Sequence, residues 1–178
     1  MPDEKGNLYL FEAIALRNEY DRHVKLIEEL LEESGSKKER LFRSSDEEEK
    51  EPASDFDPNE MRQRLKKLQT KRVKLNQAIQ VANFEYKVDH DGEAISLAEA
   101  LEIRKNLLAD IEALSQRVVS SAYKRVIHKE ERDIIREPRQ PFKEGYGDFQ
   151  KLLSKLRNLV TAIHVVNHVS TVKFKDEK

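Results

Sequence analysis

Four stretches of the chain place apolar residues at alternating steps of three and four, and this spacing most narrows what the sequence can fold into. It gathers side chains onto one face of a helix, as in a heptad seam. The first stretch, from about Leu8 to Glu33, carries Leu10, Ala13, Arg17, Tyr20, Val24, Ile27 and Leu31 on that face. The second, from about Pro58 to Asn83, carries Met61, Leu65, Leu68, Arg72, Leu75, Ile79 and Ala82. The third starts at about Leu97 and reaches at least Val119, with Leu97, Ala100, Arg104, Leu107, Ile111, Leu114 and Val118. The fourth, from about Phe149 to Asn167, carries Phe149, Leu152, Leu156, Leu159, Ile163 and Val166.

Helix start signals accompany three of them. Asp57-Pro58-Asn59-Glu60 reads as an N-cap, a first-turn proline and a glutamate reaching back. Ser96 and Glu99 form a second capping box, and Asp148, after the turn Gly145-Tyr146-Gly147, is the expected N-cap of the fourth helix.

The helices recur as pairs. Leu10, Glu12, Ala13 and Arg17 match Leu97, Glu99, Ala100 and Arg104 at an offset of 87 residues. Leu68, Leu75, Ala78, Ile79 and Asn83 match Leu152, Leu159, Ala162, Ile163 and Asn167 at an offset of 84. Two copies of a thin helix pair bury their seams by packing together. The expected fold is therefore all-α: duplicated helical hairpins in an antiparallel, coiled-coil-like four-helix bundle, with or without a small β-ribbon. One domain is expected over 1–178, with repeats at about 8–88 and 95–174.

The connections are long. Residues 34–57 hold Asp46-Glu47-Glu48-Glu49 and read as an acidic, solvated, flexible loop, on which Leu41 and Phe42 can dock; a partner-binding acidic tail is the lesser reading. Between Tyr123 and Gly147, Val126-Ile127 and Ile134-Ile135 leave two outcomes open, a continued helix or a short strand. Phe84–Val88 and Val169–Phe174 alternate apolar and polar residues and are expected to pair with each other. Asp89-His90-Asp91-Gly92 is then the turn into the third helix.

Leu97-Ala98-Glu99-Ala100-Leu101 with Arg104, the preceding Asp91-Gly92 turn, and the Asn83 and Asn167 helix ends resemble a family of small bacterial proteins labelled septicolysin-like. The resemblance runs from the first helix to Thr171. It implies an all-helical fold and no established activity, and it carries over no catalytic residue. The label suggests a haemolysin, but a thiol-dependent cytolysin does not suit a chain with no Cys and no apolar run of roughly 18 residues.

Composition narrows the function classes further. Leu, Ile, Val and Phe number 48 of 178 residues, enough for a thin core and above the roughly 20% associated with disorder. Without cysteine, disulfides, zinc ribbons and thiol catalysis are excluded, and a reducing, cytoplasmic setting is expected. The Met-Pro-Asp-Glu-Lys-Gly start leads into an amphipathic stretch rather than a signal-peptide core. A net charge of −1 exerts no global pull on nucleic acid or anionic lipid, so neither is an expected partner.

Few groupings point to chemistry. His164 and His168 share a helix face, but Val165 stands where a metalloprotease has its glutamate, so no metal or cofactor is expected. Arg62, Arg64, Lys66, Lys67 and Lys71 make the second helix basic at its start and are candidate anion-binding residues; the plainer reading sets them beside the acidic end of the first helix. Arg17 and Arg104 interrupt equivalent seams. With Glu12, Glu99, Asn83 and Asn167 they form a candidate polar seam that fixes helix register. The function expected is that of a non-enzymatic helical interaction protein, homo-oligomeric, with an unidentified protein as a further partner. The alternatives are a binder of nucleic acid or anionic membrane through the basic helix, and, behind it, a metal or small-ligand protein.

Overall fold

The computed structural model describes residues 7–35, 53–130 and 132–176. It is mostly helical, with small antiparallel β-ribbons. In chain order the elements are β1 (Asn7–Tyr9), α1 (Leu10–Gly35), α2 (Pro58–Glu85), β2 (Lys87–His90), β3 (Glu93–Ser96), α3 (Leu97–Ser121), β4 (Arg125–Lys129), β5 (Arg132–Arg136), α4 (Phe142–Val169) and β6 (Thr171–Lys173). The acidic connection expected at 34–57, with Leu41 and Phe42, lies for the most part outside the described residues.

The heptad spacing agrees with burial. Every seam residue quoted above is buried or half-buried in the structure except Arg104, which is exposed. Seams of this kind stabilise a helix by removing its apolar stripe from water, about 25 cal/mol for each Å² covered.

The chain divides into two compact units, Met1–Ala82 with Val169–Lys178, and Asn83–His168. In the first, Leu10, Ala13, Tyr20 and Val24 of α1, Leu75, Ile79 and Ala82 of α2, and Val172 of β6 are buried. The two helices run antiparallel: Gln69 donates to the Glu28 carboxylate at 3.2 Å, and three residues further on Arg72 meets Asp21 at 3.4 Å. Asp57 caps α2 as expected, its carboxylate accepting from the Asn59 N–H at 2.8 Å. Glu60 does not complete a box there; it pairs instead with Arg64 at 2.6 Å.

In the second unit Val88, Leu97, Ala100, Leu114, Val118, Leu159 and Ile163 are buried. Ser96 caps α3 with both halves of the capping box in place.

Strand pairing differs from the expectation. The segments after α2 and α4 do not pair with each other. β6 pairs with β1, Val172 opposite Leu8, and β2 pairs with β3, Val88 opposite Ile95. The physical reason is local. Asp91 and Gly92 both take positive φ, 52° and 85°, the signature of a tight hairpin turn matched to strand twist. That turn folds β2 straight back onto β3. The segment between α3 and α4 takes the strand outcome, with Val126 opposite Ile135 and Ile127 opposite Ile134. α4 begins at Phe142 rather than Phe149 and runs through Gly145 and Gly147. Pro141 supplies the first carbonyl, which accepts from the Gly145 N–H at 3.2 Å. Asp148 is thus inside the helix, paired with Lys151 at 3.3 Å, and caps nothing.

Candidate functional site

The two glutamates of the expected polar seam turn out to be capping groups. Glu12 accepts the Tyr9 N–H at 2.8 Å, and Glu99 accepts the Ser96 N–H and hydroxyl, each at 2.7 Å. Their carboxylates therefore close the first turns of α1 and α3, where the helix dipole also favours negative charge. The Ser96 N–H, then its hydroxyl, hold the Glu99 carboxyl below the usual glutamate range.

The two arginines do not share a setting. Arg17 is half-buried in a cleft of about 480 Å³ with Asp21, Arg72, Val73, Asn76 and Gln77, and donates to Asn18 at 3.3 Å. Arg104 is exposed on α3. Asn83 is buried and Asn167 half-buried, the latter with its side-chain oxygen buried and unpartnered. Glu12 and Arg17 belong to the first unit, and Asn83, Glu99, Arg104 and Asn167 to the second.

The basic start of α2 is partly engaged within its own unit. Arg64 pairs with Glu60, Arg72 with Asp21, and Lys71 with Asp176 at 2.8 Å. Arg62 donates to Asn59 at 2.9 Å, and Lys66 and Lys67 are exposed. Asp176 also lies by Tyr20. Burial first, then the Asp176 and Glu19 carboxylates, raises the Tyr20 phenol far above its ordinary value and keeps it protonated.

His164 and His168 are both exposed on α4. No group of three or more metal-ligating side chains is found among the described residues. Asp89, His90, Asp91 and Gly92 border a small cleft of about 190 Å³ that Lys155 also lines, so a cation there meets an ammonium. No helix among the described residues is long and apolar enough to cross a membrane.

The richest grouping is one that the seams and motifs did not point to. A cleft of about 540 Å³ in the second unit is lined by Arg117, Ser120 and Ser121 of α3, Arg125 and Arg136 of the β4–β5 ribbon, and Glu137, Pro138, Arg139 and Gln140. Four arginines line it, from the end of one helix, two strands and a loop. The signal in the sequence is faint. Arg125 and Arg136 each flank an apolar pair, Val126-Ile127 and Ile134-Ile135, and only the hairpin register shows that they stand opposite one another.

No protein-family model and no curated protein matches the chain. A solved structure does: the crystal structure of a functionally unknown conserved protein from Corynebacterium diphtheriae, 20% identical, with a TM-score of 0.67 over 93% of this chain and 99% of that one. At that identity the likeness is one of fold.

Proposed function

We propose that the chain is a non-enzymatic helical interaction protein that works by self-association, its first partner a second copy of itself. The observation that carries this reading is the β4–β5 ribbon. Val126 and Ile135 stand opposite each other and are 47% and 58% exposed. They are flanked by the Lys124–Glu137 ion pair at 2.7 Å and the His128–Asp133 hydrogen bond at 2.8 Å. An apolar centre inside a polar rim is the anatomy of a protein–protein interface. Among the described residues the ribbon has two strands, and a lone two-stranded ribbon is marginal in water. A second copy related by a twofold axis would lay the same ribbon against it, each supplying what the other lacks.

Internal duplication belongs to the same reading. The Tyr9–Glu12 and Ser96–Glu99 hydrogen bonds recur at an offset of 87 residues. The bonds from the Leu10 N–H to Ser170 and from the Leu97 N–H to Tyr86, both 2.9 Å, recur with an acceptor offset of 84. These are the two offsets found in the sequence, which supports descent from one strand–helix unit and with it the four-helix arrangement expected from the seams. The septicolysin-like resemblance and the cytoplasmic setting suggested by the lack of cysteine remain parts of this proposal.

Light scattering at micromolar concentration tests it. A mass at a multiple of 20.8 kDa is expected for the wild type. Val126→Lys with Ile135→Lys should return the mass to one chain without loss of helical circular dichroism. A wild-type mass of one chain at every concentration refutes the proposal.

A further inference from the structure

We infer that the arginine-lined cleft of the second unit is a binding site for a small polyphosphate ligand, one bearing two or more linked phosphate groups. Antiparallel partners point their side chains to the same face of a ribbon. Arg125 and Arg136 are such partners, so their charged groups start from neighbouring Cβ positions, about 5 Å apart. Like charges directly opposite destabilise a ribbon. Arg117 and Arg139 add two more positive charges to the same cleft.

Among the described residues, no unengaged carboxylate lines the cleft. The one acidic residue lining the cleft is Glu137, and its carboxylate is held by Lys124 at 2.7 Å. Among the described residues, no ion pair neutralises Arg125, Arg136 or Arg139. A second observation concerns the helix end. The last turn of α3 would repel an anion through its free carbonyls. Here the Ser120 hydroxyl donates to the Arg117 carbonyl and the Ser121 hydroxyl to the Val118 carbonyl, each at 2.8 Å. Two carbonyl groups near that end are thereby occupied. Arg117 bonds the Ala113 carbonyl through Nε at 3.4 Å, and its two terminal nitrogens stay available.

Guanidinium groups match phosphate oxygens two at a time, which a lysine cannot do. One phosphate group carries a charge of about −1.5 to −2, so four arginines suit an anion with more than one such group. The cleft volume falls in the range of small-molecule sites, roughly 300–1,000 Å³. A single-stranded nucleic acid would need stacking partners along its path, and none of the residues lining the cleft is aromatic.

The inference goes beyond the self-association reading. It uses the Arg125–Arg136 face of the ribbon, whereas that reading uses the Val126–Ile135 face, so each can fail alone. Titration calorimetry of the full chain at low salt, with inorganic pyrophosphate as the probe, tests it. One site per chain is expected, and Arg125→Gln with Arg136→Gln should weaken binding at least tenfold. A nucleoside diphosphate and tripolyphosphate, run in parallel, separate a free polyphosphate from a nucleotide as the source of the phosphates. The double variant should melt at or above the wild type without ligand, because the cross-strand repulsion is gone; pyrophosphate should raise the wild-type midpoint alone.

Four results overturn the inference: no pyrophosphate binding at millimolar concentration, binding that survives the double variant, binding abolished instead by Arg62→Gln with Lys66→Gln, or tighter binding of a single-stranded oligonucleotide than of pyrophosphate by the same arginines.

Discussion

Glu99 shows how much a single side chain decides at the start of α3. Its carboxylate accepts two hydrogen bonds from Ser96 while the Ser96 hydroxyl accepts the Glu99 N–H at 3.2 Å. Ser96→Ala removes the hydroxyl from both roles and should cost about 1 kcal/mol, read from denaturant midpoints. The Glu99 carboxyl is held below its ordinary 4.5 in the folded chain. A lowered folded value adds stability that is complete above the unfolded value and fades as pH falls through the folded one. Glu99→Gln should therefore flatten the acid limb of the stability profile below about pH 4.5 and leave its shape above pH 6 alone; parallel limbs would show that the carboxylate has no such part. Gly92, at φ 85°, is the residue that lets β2 turn back, and Gly92→Ala should cost about 1 kcal/mol in the same assay. The Ser96–Glu99 box and the Asp91-Gly92 turn were both readable from the sequence, because each depends on neighbours a few residues apart. The placement of Arg17 and Arg104 was not: equal seam positions say nothing about what stands opposite, and Arg17 finds the Asp21–Arg72 cleft while Arg104 finds water.

At the scale of elements, the heptad reading located all four helices and erred where short-range signals competed. Gly145-Tyr146-Gly147 looks like a turn because glycine has the poorest helix propensity after proline. The structure keeps it helical. Gly145 is buried near Val118, and a Cβ there would stand 3.5 Å from the Val118 methyl, an ordinary contact; at Gly147 a Cβ would meet nothing within 4 Å. Gly145→Ala with Gly147→Ala should thus raise stability, by about 0.5–1 kcal/mol for each position. Thermal melts decide it, since a true turn at these glycines would make the same changes destabilising. The pairing of the strands escaped the sequence reading for a different reason. Alternation marks Val88 and Val172 as strand residues but cannot name the partner strand, which is a long-range fact for β1 and β6 and a turn-imposed one for β2 and β3.

For the whole molecule the question is what covers its exposed apolar surface. Val119, Tyr123, Val165 and Val169 are 65%, 77%, 57% and 69% exposed, and isolated apolar side chains at a surface are commonplace. What sets the β4–β5 ribbon apart is that its apolar residues face each other across two strands. Placing the proposed interface there, and not at Arg17 and Arg104, makes a contrast that gel filtration reads directly. Arg104→Leu should leave both oligomeric state and stability within about 0.5 kcal/mol of the wild type, as at an ordinary exposed site, while the Val126→Lys and Ile135→Lys pair should dissociate the assembly. The polyphosphate cleft was the part least visible in the sequence, because its four arginines are gathered by the hairpin register and the end of α3.

The pairing of β1 with β6 sets an order on synthesis. The unit Asn83–His168 is one continuous stretch, so everything it requires has been made once His168 has been added. The other unit holds β1, α1 and most of α2 early, but its ribbon needs Thr171–Lys173. During translation, at roughly 5–20 residues per second, α1 and α2 must wait several seconds with Leu8 unpaired and Val172 not yet made. A released chain truncated after His168 should accordingly protect the Asn83–His168 unit from protease and leave the earlier-made unit sensitive, reversing the usual N-terminal-first order.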